Sequence, residues 1–272
     1  MKKLAVLSLL AFLMACTQKS NDTDKGMSVF TNDKSFRNAH DVPKPIDYKE
    51  KGKMIKFSTP DGKQGMGYSL TKDKAKATLI VVHEWWGLND YVKRESDRYF
   101  DALENINVLA IDMYDGNVAT TPEDATKYMN GVTNDRAEAI IKGAINLYTT
   151  KLPVATIGWC FGGGWSLKAS ILAGEQGKAC VMFYGMPVME ANKLLPLKAP
   201  VLGLFGEKDQ WITPEVVQKY NDVMVASGKS VKTKEFSADH GFANPSSQKY
   251  NEPAAQEANK LAMEFLKEKL GI

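Results

Sequence analysis

Cysteine and histidine are both scarce in this 272-residue chain, which has three of each. The cysteines are Cys16, Cys160 and Cys180, and their positions suggest no disulfide framework of the kind that holds small secreted domains together. Cys180 lies in the apolar run Ala179-Cys-Val-Met-Phe-Tyr, which is typical of a buried strand. We therefore interpret Cys180 as a core residue and expect a fold that does not depend on disulfides.

Blocks of like charge and internal repeats are also missing. The net charge of +3 comes from lysines scattered among acids, so there is no electrostatic case for nucleic-acid binding. Apolar residues make up 44% and charged residues 25% of the chain, which is ordinary for a globular protein. The length fits one α/β domain with additional terminal segments.

A membrane-spanning apolar run is absent, but a shorter one lies at the N-terminus. Residues 4–13 are apolar and follow Lys2 and Lys3, yet they fall short of the ~20 residues that a spanning helix needs. The run ends in Leu13-Met-Ala-Cys16, which resembles the lipobox of bacterial lipoproteins. The resemblance implies that residues 1–15 are a signal peptide and that Cys16 is lipidated. An ordinary secretory signal cut nearby is the alternative.

This N-terminus predicts an exported protein held on a membrane of the bacterial envelope by acyl chains. Thr17 is not the aspartate usually associated with inner-membrane retention, so the outer membrane, facing the periplasm, is the expected location. Residues 17–50 are polar and predict a tether, with a short ordered piece near residues 30–36. His40 is interpreted as a solvated linker residue.

From residue 51 to residue 272, apolar runs typical of strands alternate with amphipathic stretches typical of helices. This alternation predicts an α/β domain with a mostly parallel, doubly wound sheet and helices on both faces. The predicted strands are 54–58, 65–70, 77–82, 108–112, 154–157, 179–184, 201–205 and 231–236. The predicted helices are 91–103, one or two within 122–148 with a break near Gly131, 165–173, 214–226 and 253–270.

The most informative motif is Gly158-Trp-Cys160-Phe-Gly162, between a predicted strand and a predicted helix. Gly-x-Cys-x-Gly matches the sharp strand-to-helix turn of serine hydrolases, with cysteine in place of serine. The positive end of the following helix would favour the thiolate of Cys160. The alternative is that Cys160 is a small buried packing residue.

Three further polar residues follow predicted strands. In a parallel sheet, reactive side chains collect at the carboxyl ends of strands, where Glu84, Cys160, Asp209 and His240 all fall. Cys160, Asp209 and His240 also occur in the order nucleophile, acid, histidine that α/β-hydrolases use. We therefore expect these side chains to converge.

Five stretches together resemble the dienelactone hydrolase family, in the same order and over residues 51–272. They are Ile80-Val-Val-His-Glu84-Trp-Trp-Gly-Leu-Asn89, Ile111-Asp-Met-Tyr114, Gly158-Trp-Cys160-Phe-Gly-Gly163, Gly206-Glu-Lys-Asp209 and His240-Gly-Phe. The resemblance implies an α/β-hydrolase fold and hydrolysis of a carboxylic ester or lactone, with no cofactor and no metal.

The roles of the triad follow from this resemblance and from side-chain chemistry. Cys160 would be the nucleophile and His240 the base, since an imidazole titrates near neutral pH. Asp209 would hold the tautomer of His240. Glu207 and Asp239 are the rivals of Asp209, which the family spacing favours.

The resemblance gives Glu84 a role that a serine hydrolase lacks, which is to help form the Cys160 thiolate when substrate arrives. The alternative is a structural carboxylate paired with Arg94. The backbone N–H groups of Trp85 and Phe161 would form the oxyanion hole.

Two side chains next to Glu84 are given no catalytic or metal-binding role. Trp86 is expected to line the pocket or to pack in the core. His83 has too few neighbouring donors for a metal site, which usually needs three or four protein ligands.

The chain departs from the family at the residues that hold an anionic substrate. Family members that act on dienelactone carry an arginine four residues after the catalytic histidine, where this chain has Asn244, and another in the segment before the elbow, where residues 121–130 have only Lys127 as a cation. Asparagine cannot replace a bidentate guanidinium. We expect an ester or lactone hydrolase that is not selective for anionic dienelactone. The alternatives are an envelope or binding lipoprotein with a vestigial site, and an acyltransferase or thioesterase.

Overall fold

A computed structural model describes residues 22–148 and 152–272. The predicted signal peptide and Cys16 lie outside the described residues. Within the described ranges, no helix is both long enough and apolar enough to cross a membrane.

An eight-stranded sheet forms the centre of the fold. The strands in chain order are β1 Lys53–Ser58, β2 Gln64–Leu70, β3 Ala77–Val82, β4 Ile106–Ile111, β5 Val154–Trp159, β6 Gly177–Phe183, β7 Val201–Gly206 and β8 Val231–Phe236. Their spatial order is β1-β2-β4-β3-β5-β6-β7-β8. β1 and β2 pair antiparallel, as do β2 and β4, whereas all remaining pairs are parallel. The predicted mostly parallel sheet is confirmed.

Eight α-helices are found in the described ranges. They are α1 Lys34–Asn38, α2 Asp90–Ala102, α3 Pro122–Gly131, α4 Asn134–Ile145, α5 Phe161–Ala173, α6 Ala191–Leu194, α7 Pro214–Ala226 and α8 Glu252–Leu270. The stretch 122–148 therefore holds two helices, because α3 ends at Gly131 and Thr133 caps the start of α4 through its side chain.

The central strands and α5 are buried on all sides. Every residue of β3, β4 and β5 is buried, which explains their continuous apolar sequence. α5 packs against β5, β6 and β3 and is itself almost wholly buried. It begins at Phe161, four residues before the predicted start, because tertiary contacts override the low helix propensity of three consecutive glycines. A Cβ on Gly162 would clash with the carbonyl oxygens of Val82 and His83.

The segment before the sheet packs onto the domain. Two 3₁₀ turns, joined at Gly26 (φ 55°), span Asp22–Phe30 and lie against α3 and α5. Met27 and Phe36 are buried, with exposures of 1% and 0%. The ordered piece expected near residues 30–36 thus extends in both directions. Apolar side chains spaced widely in a polar sequence supply its contacts, which is why composition alone predicted a tether there.

Candidate active site

Cys160 occupies a strained position between β5 and α5. Its backbone angles are φ 53° and ψ −116°, a region that few residues other than glycine adopt. The Cys160 N–H donates to the Phe183 carbonyl at 3.0 Å, and the Cys160 carbonyl accepts from Gly163 N–H at 3.0 Å. These bonds hold the turn that the Gly-x-Cys-x-Gly motif predicts. Cys160 is 2% exposed, beneath the residues that cover the site.

Asp209 and His240 form a buried pair at the ends of neighbouring strands. Asp209 follows β7 and His240 follows β8, and His240 Nδ1 lies 2.6 Å from Asp209 Oδ2. The other Asp209 oxygen accepts the backbone N–H groups of Trp211 and Ile212, both at 2.9 Å. The carboxylate is therefore fixed on one side by the backbone and directs the imidazole on the other. One ring nitrogen of His240 lies within 4.8 Å of Cys160 Sγ, and Nε2 is the nitrogen that the bond to Asp209 leaves free.

The rivals of Asp209 lie elsewhere. Glu207 is exposed, and Asp239 is half-buried with its carboxylate 3.7 Å from Lys249 Nζ. Neither carboxylate contacts the His240 ring in the described residues, where Asp209 is its one acidic hydrogen-bond partner.

Glu84 follows β3 and faces the same cavity as Cys160. Its carboxylate accepts hydrogen bonds from the Tyr184 hydroxyl, at 3.3 Å, and from the Asn244 amide. No ion pair with Arg94 is found among the described residues, and the Arg94 guanidinium lies 5.2 Å from the Tyr91 ring instead. The structural alternative for Glu84 is therefore not supported. Burial raises the pKa of Glu84 to about 7, although nearby His240 and the two hydrogen bonds oppose the shift.

The residues beside Glu84 position the backbone at this edge. His83 Nδ1 lies 2.6 Å from the Glu84 carbonyl, and Met113 N–H donates to His83 Nε2 at 3.0 Å. Both ring nitrogens of His83 are therefore engaged by the backbone. The Tyr114 hydroxyl donates to the Trp85 carbonyl at 3.1 Å, so this turn is fixed from two directions. In the described parts of the chain, the backbone N–H of Trp85 has no hydrogen-bond acceptor.

His40 lies directly over Cys160, which contradicts its interpretation as a solvated linker residue. His40 Nε2 is 3.7 Å from Cys160 Sγ, and Nδ1 is 2.7 Å from the Phe36 carbonyl. The His40 ring contacts the Trp85 ring, with the ring centroids 4.7 Å apart and the ring planes tilted by 47°. His40 is held there because the buried ring of Phe36, four residues earlier, packs edge-on against Trp85 and Trp211.

The cavity at Cys160 is small because residues 39–41 close it. Its volume is about 10 Å³, close to the minimum for one water molecule. No lysine or arginine of the described residues lines it. The lining residues are Ala39, His40, Asp41, Glu84, Trp86, Cys160, Tyr184, His240, Gly241, Asn244 and Ser247.

Burial and neighbouring charges act in opposite directions on the pKa values of Cys160 and His240. Burial raises the pKa of Cys160, although the neighbouring His240 and a backbone hydrogen bond from Phe161 oppose the shift. Burial is the largest single influence on His240 and would lower its pKa, but the charges and hydrogen bonds of Asp209 and Cys160 together outweigh burial and raise that pKa well above its usual value. Asp209 thus makes His240 a stronger base toward the thiol.

The roles of three side chains in this site were not predicted from the sequence. His40 lies in a polar stretch with no local motif, and Tyr184 ends a strand that was predicted only as core. Asn244 was noted for lacking a guanidinium, whereas its amide holds Glu84. For His40, no local signal was available, because it lies beyond the end of α1 at Asn38.

The sheet, the strand-to-helix elbow and the order of the site residues define an α/β-hydrolase. Within that class, the chain belongs to the dienelactone hydrolase family, whose family model matches residues 66–270. It is therefore a hydrolase of that family.

Similar proteins cover most of the chain. A relative from Aquifex pyrophilus, named protein usf, is 31% identical over 232 residues, which are 80% of this chain and 99% of that protein. Carboxymethylenebutenolidase 1 of Cupriavidus pinatubonensis is 24% identical over 207 residues, covering 69% of this chain and 84% of its own. The structure of a dienelactone hydrolase-like promiscuous phosphotriesterase from metagenomic libraries superposes with a TM-score of 0.68 at 21% identity, covering 80% and 98% of the two chains. The match to the family model begins at residue 66, so the segment that carries His40 lies outside it.

Proposed function

We propose that this protein hydrolyses a small, uncharged carboxylic ester or lactone through an acyl-enzyme on Cys160. The observation that carries the proposal is the Asp209–His240 hydrogen bond, which leaves His240 Nε2 on the side of the Cys160 sulfur. A nucleophile, a base and a residue that orients the base are the arrangement required for covalent acyl transfer.

The chemistry would proceed in two halves. His240 Nε2 accepts the thiol proton, and the Cys160 sulfur attacks the substrate carbonyl. The resulting oxyanion accepts hydrogen bonds from the N–H groups of Trp85 and Phe161. The leaving alkoxide takes the proton from His240, and water then cleaves the thioester by the reverse sequence.

The charge of Glu84 would control how readily the Cys160 thiol loses its proton. With a pKa of about 7, its carboxylate is a base of suitable strength near neutral pH. While ionised it disfavours a second negative charge on the nearby sulfur, and it raises the pKa of Cys160. Uptake of a proton from solvent by Glu84 would remove that repulsion, so the Cys160 thiol could pass its own proton to His240 more readily when substrate arrives.

The lining of the site favours an uncharged substrate. The cavity wall contributes Glu84 and Asp41 and, among the described residues, no lysine or arginine, and the Asn244 amide is already bound to Glu84. A substrate carboxylate would therefore meet acidic groups without a guanidinium to balance it. Because the cavity holds about one water, residues 39–41 would have to move before an ester could enter.

A panel of neutral esters, neutral lactones and anionic dienelactone tests this proposal. We expect hydrolysis of the neutral substrates with the higher kcat/KM, and its loss in Cys160→Ala. Cys180→Ala is the matched control, since it removes a buried cysteine that lies in β6 away from the cavity. Full activity of Cys160→Ala would disprove the nucleophile, and a dienelactone kcat/KM equal to that of the best neutral ester would disprove the substrate class.

We also propose that the protein is an exported lipoprotein anchored through Cys16 in the bacterial outer membrane, on its periplasmic side. The support is the sequence Leu13-Met-Ala-Cys16 after a basic start and a short apolar run. Cys16→Ala should move the protein from the membrane fraction to the soluble fraction and remove the lipid mass from the N-terminal peptide. If neither changes, the anchor is disproved.

A further inference from the structure

Three potential metal ligands converge at the covered elbow. His40 Nε2, Cys160 Sγ and His240 Nε2 all lie within 4.8 Å of one another. We propose that these three atoms bind a divalent zinc ion, which closes the active site reversibly. Imidazole nitrogen and thiolate sulfur are the donors that zinc prefers among protein side chains.

The spacing of the atoms suits a tetrahedral ion. Zinc bonds of about 2.3 Å to sulfur and about 2.0–2.1 Å to nitrogen place sulfur and nitrogen about 3.6 Å apart. Cys160 Sγ and His40 Nε2 are 3.7 Å apart. The remaining pairs are at most 4.8 Å apart and need about 1 Å of closure, which side-chain rotation can supply. The fourth position would be open to water.

Both histidines are held as zinc ligands usually are. His40 Nδ1 lies 2.7 Å from the Phe36 carbonyl, and His240 Nδ1 lies 2.6 Å from the Asp209 carboxylate. An acceptor at Nδ1 fixes the proton there and leaves the Nε2 lone pair for a metal. His240 is 4% exposed, and apart from the Cys160 thiol its Nε2 has no hydrogen-bond partner in the described residues. Once the thiol has lost its proton, this buried nitrogen is available to a cation.

The local charges also fit a dication. When the ion binds, Cys160 Sγ and His240 Nε2 release any protons that they carry to solvent, and the sulfur contributes one negative charge. The carboxylates of Glu84 and Asp41 line the same cavity without being ligands, and that of Asp209 is bonded to His240. This excess of negative charge favours a dication in a buried setting.

Zinc binding would have two consequences. The metal would occupy both the sulfur and the base, so it would inhibit hydrolysis competitively with substrate. It would also fasten residues 36–41 over the elbow. The inhibition rests on the proposed hydrolase function, whereas the binding of the metal does not.

Cobalt substitution tests the binding separately from activity. Co²⁺ titrated into the reduced full-length protein should give a thiolate-to-cobalt charge-transfer band of unit stoichiometry, displaced by Zn²⁺. Cys160→Ala should abolish the band, and His40→Ala and His40→Gln should each weaken Co²⁺ binding at least about tenfold to a hundredfold. Cys16→Ala, which keeps all three ligands, is the matched control and should bind as the parent protein does.

Two results would overturn the proposal. A band that persists in Cys160→Ala would place the metal elsewhere, and unchanged Co²⁺ affinity in both folded His40 variants, checked by circular dichroism, would remove the third ligand. Zinc should also inhibit ester hydrolysis, with a chelator restoring it and with a raised inhibition constant in His40→Gln. If no ester is hydrolysed but the cobalt band behaves as expected, the proposed function fails and the metal site stands.

Discussion

Replacing Glu84 by glutamine should change how stability depends on pH. Burial raises the pKa of Glu84 from its ordinary 4.5 to about 7 in the folded protein. A carboxyl group with a raised pKa holds its proton more tightly when folded than when unfolded. Its contribution to stability is therefore complete below pH 4.5 and is lost as the pH rises through 7. Glutamine stays uncharged and shows no such loss.

The size of the effect follows from the shift. The difference between 4.5 and about 7, at about 1.4 kcal/mol per pKa unit, corresponds to at most about 3 kcal/mol. Partial exposure of Glu84 reduces this value. We expect the stability of Glu84→Gln relative to the parent protein to increase by about 2 kcal/mol between pH 5 and pH 8.

Urea unfolding at several pH values measures this difference directly. Loss of the Asn244 hydrogen bond lowers the stability of Glu84→Gln by a similar amount at every pH, so only the slope is diagnostic. Glu104→Gln, at an exposed position of the α2–β4 connection, controls for the loss of one carboxylate. A stability difference that stays constant from pH 5 to pH 8 would refute the buried, proton-binding Glu84 and its proposed role as a base.

Three further substitutions test the site and its support. Asp209→Asn should lower kcat by about 10³–10⁴-fold with the fold intact by circular dichroism, because an amide at this place favours the wrong imidazole tautomer; near-normal kcat would contradict the triad. Phe36→Ala removes a buried ring whose loss costs about 3–5 kcal/mol in a core, so iodoacetamide should label Cys160 at least about tenfold faster, and an unchanged rate would mean that the cover does not depend on this ring. Gly158→Ala places a methyl against the Gly162 carbonyl and should destabilise the fold by on the order of 3 kcal/mol, which lowers Tm by about six to twelve degrees, whereas Gly131→Ala, with nothing within 4 Å, should leave Tm nearly unchanged.

The sheet was predictable because its strands carry strong local signals. β3, β4 and β5 are buried on both faces, so their sequences are continuous apolar runs. The start of α5 was not predictable by propensity. Gly162 and its neighbours disfavour a helix locally, and only the close approach to the β3 carbonyls explains why they are helical.

The candidate site was predictable where residues follow strands. Cys160, Asp209 and His240 could be placed together from topology alone, because parallel strands end at one edge. Their chemical roles remain predictions. His40 could not be placed, since its position depends on Phe36 packing between Trp85 and Trp211, which are both distant from it along the chain. Long-range contacts of this kind leave no periodicity in the sequence.

Because the 3₁₀ turns at Asp22–Phe30 pack onto the domain, they would limit the distance between the domain and a membrane if Cys16 were lipidated. Six residue steps separate Cys16 from Asp22 and span at most roughly 20 Å when fully extended. If acyl chains are attached at Cys16, the start of this docked segment must therefore stay within about two nanometres of the lipid head groups. The segment lies against α3 and α5. So short a connection would favour esters that partition into the bilayer surface, since they would be concentrated close to the domain whose residues 39–41 would have to move before they can enter.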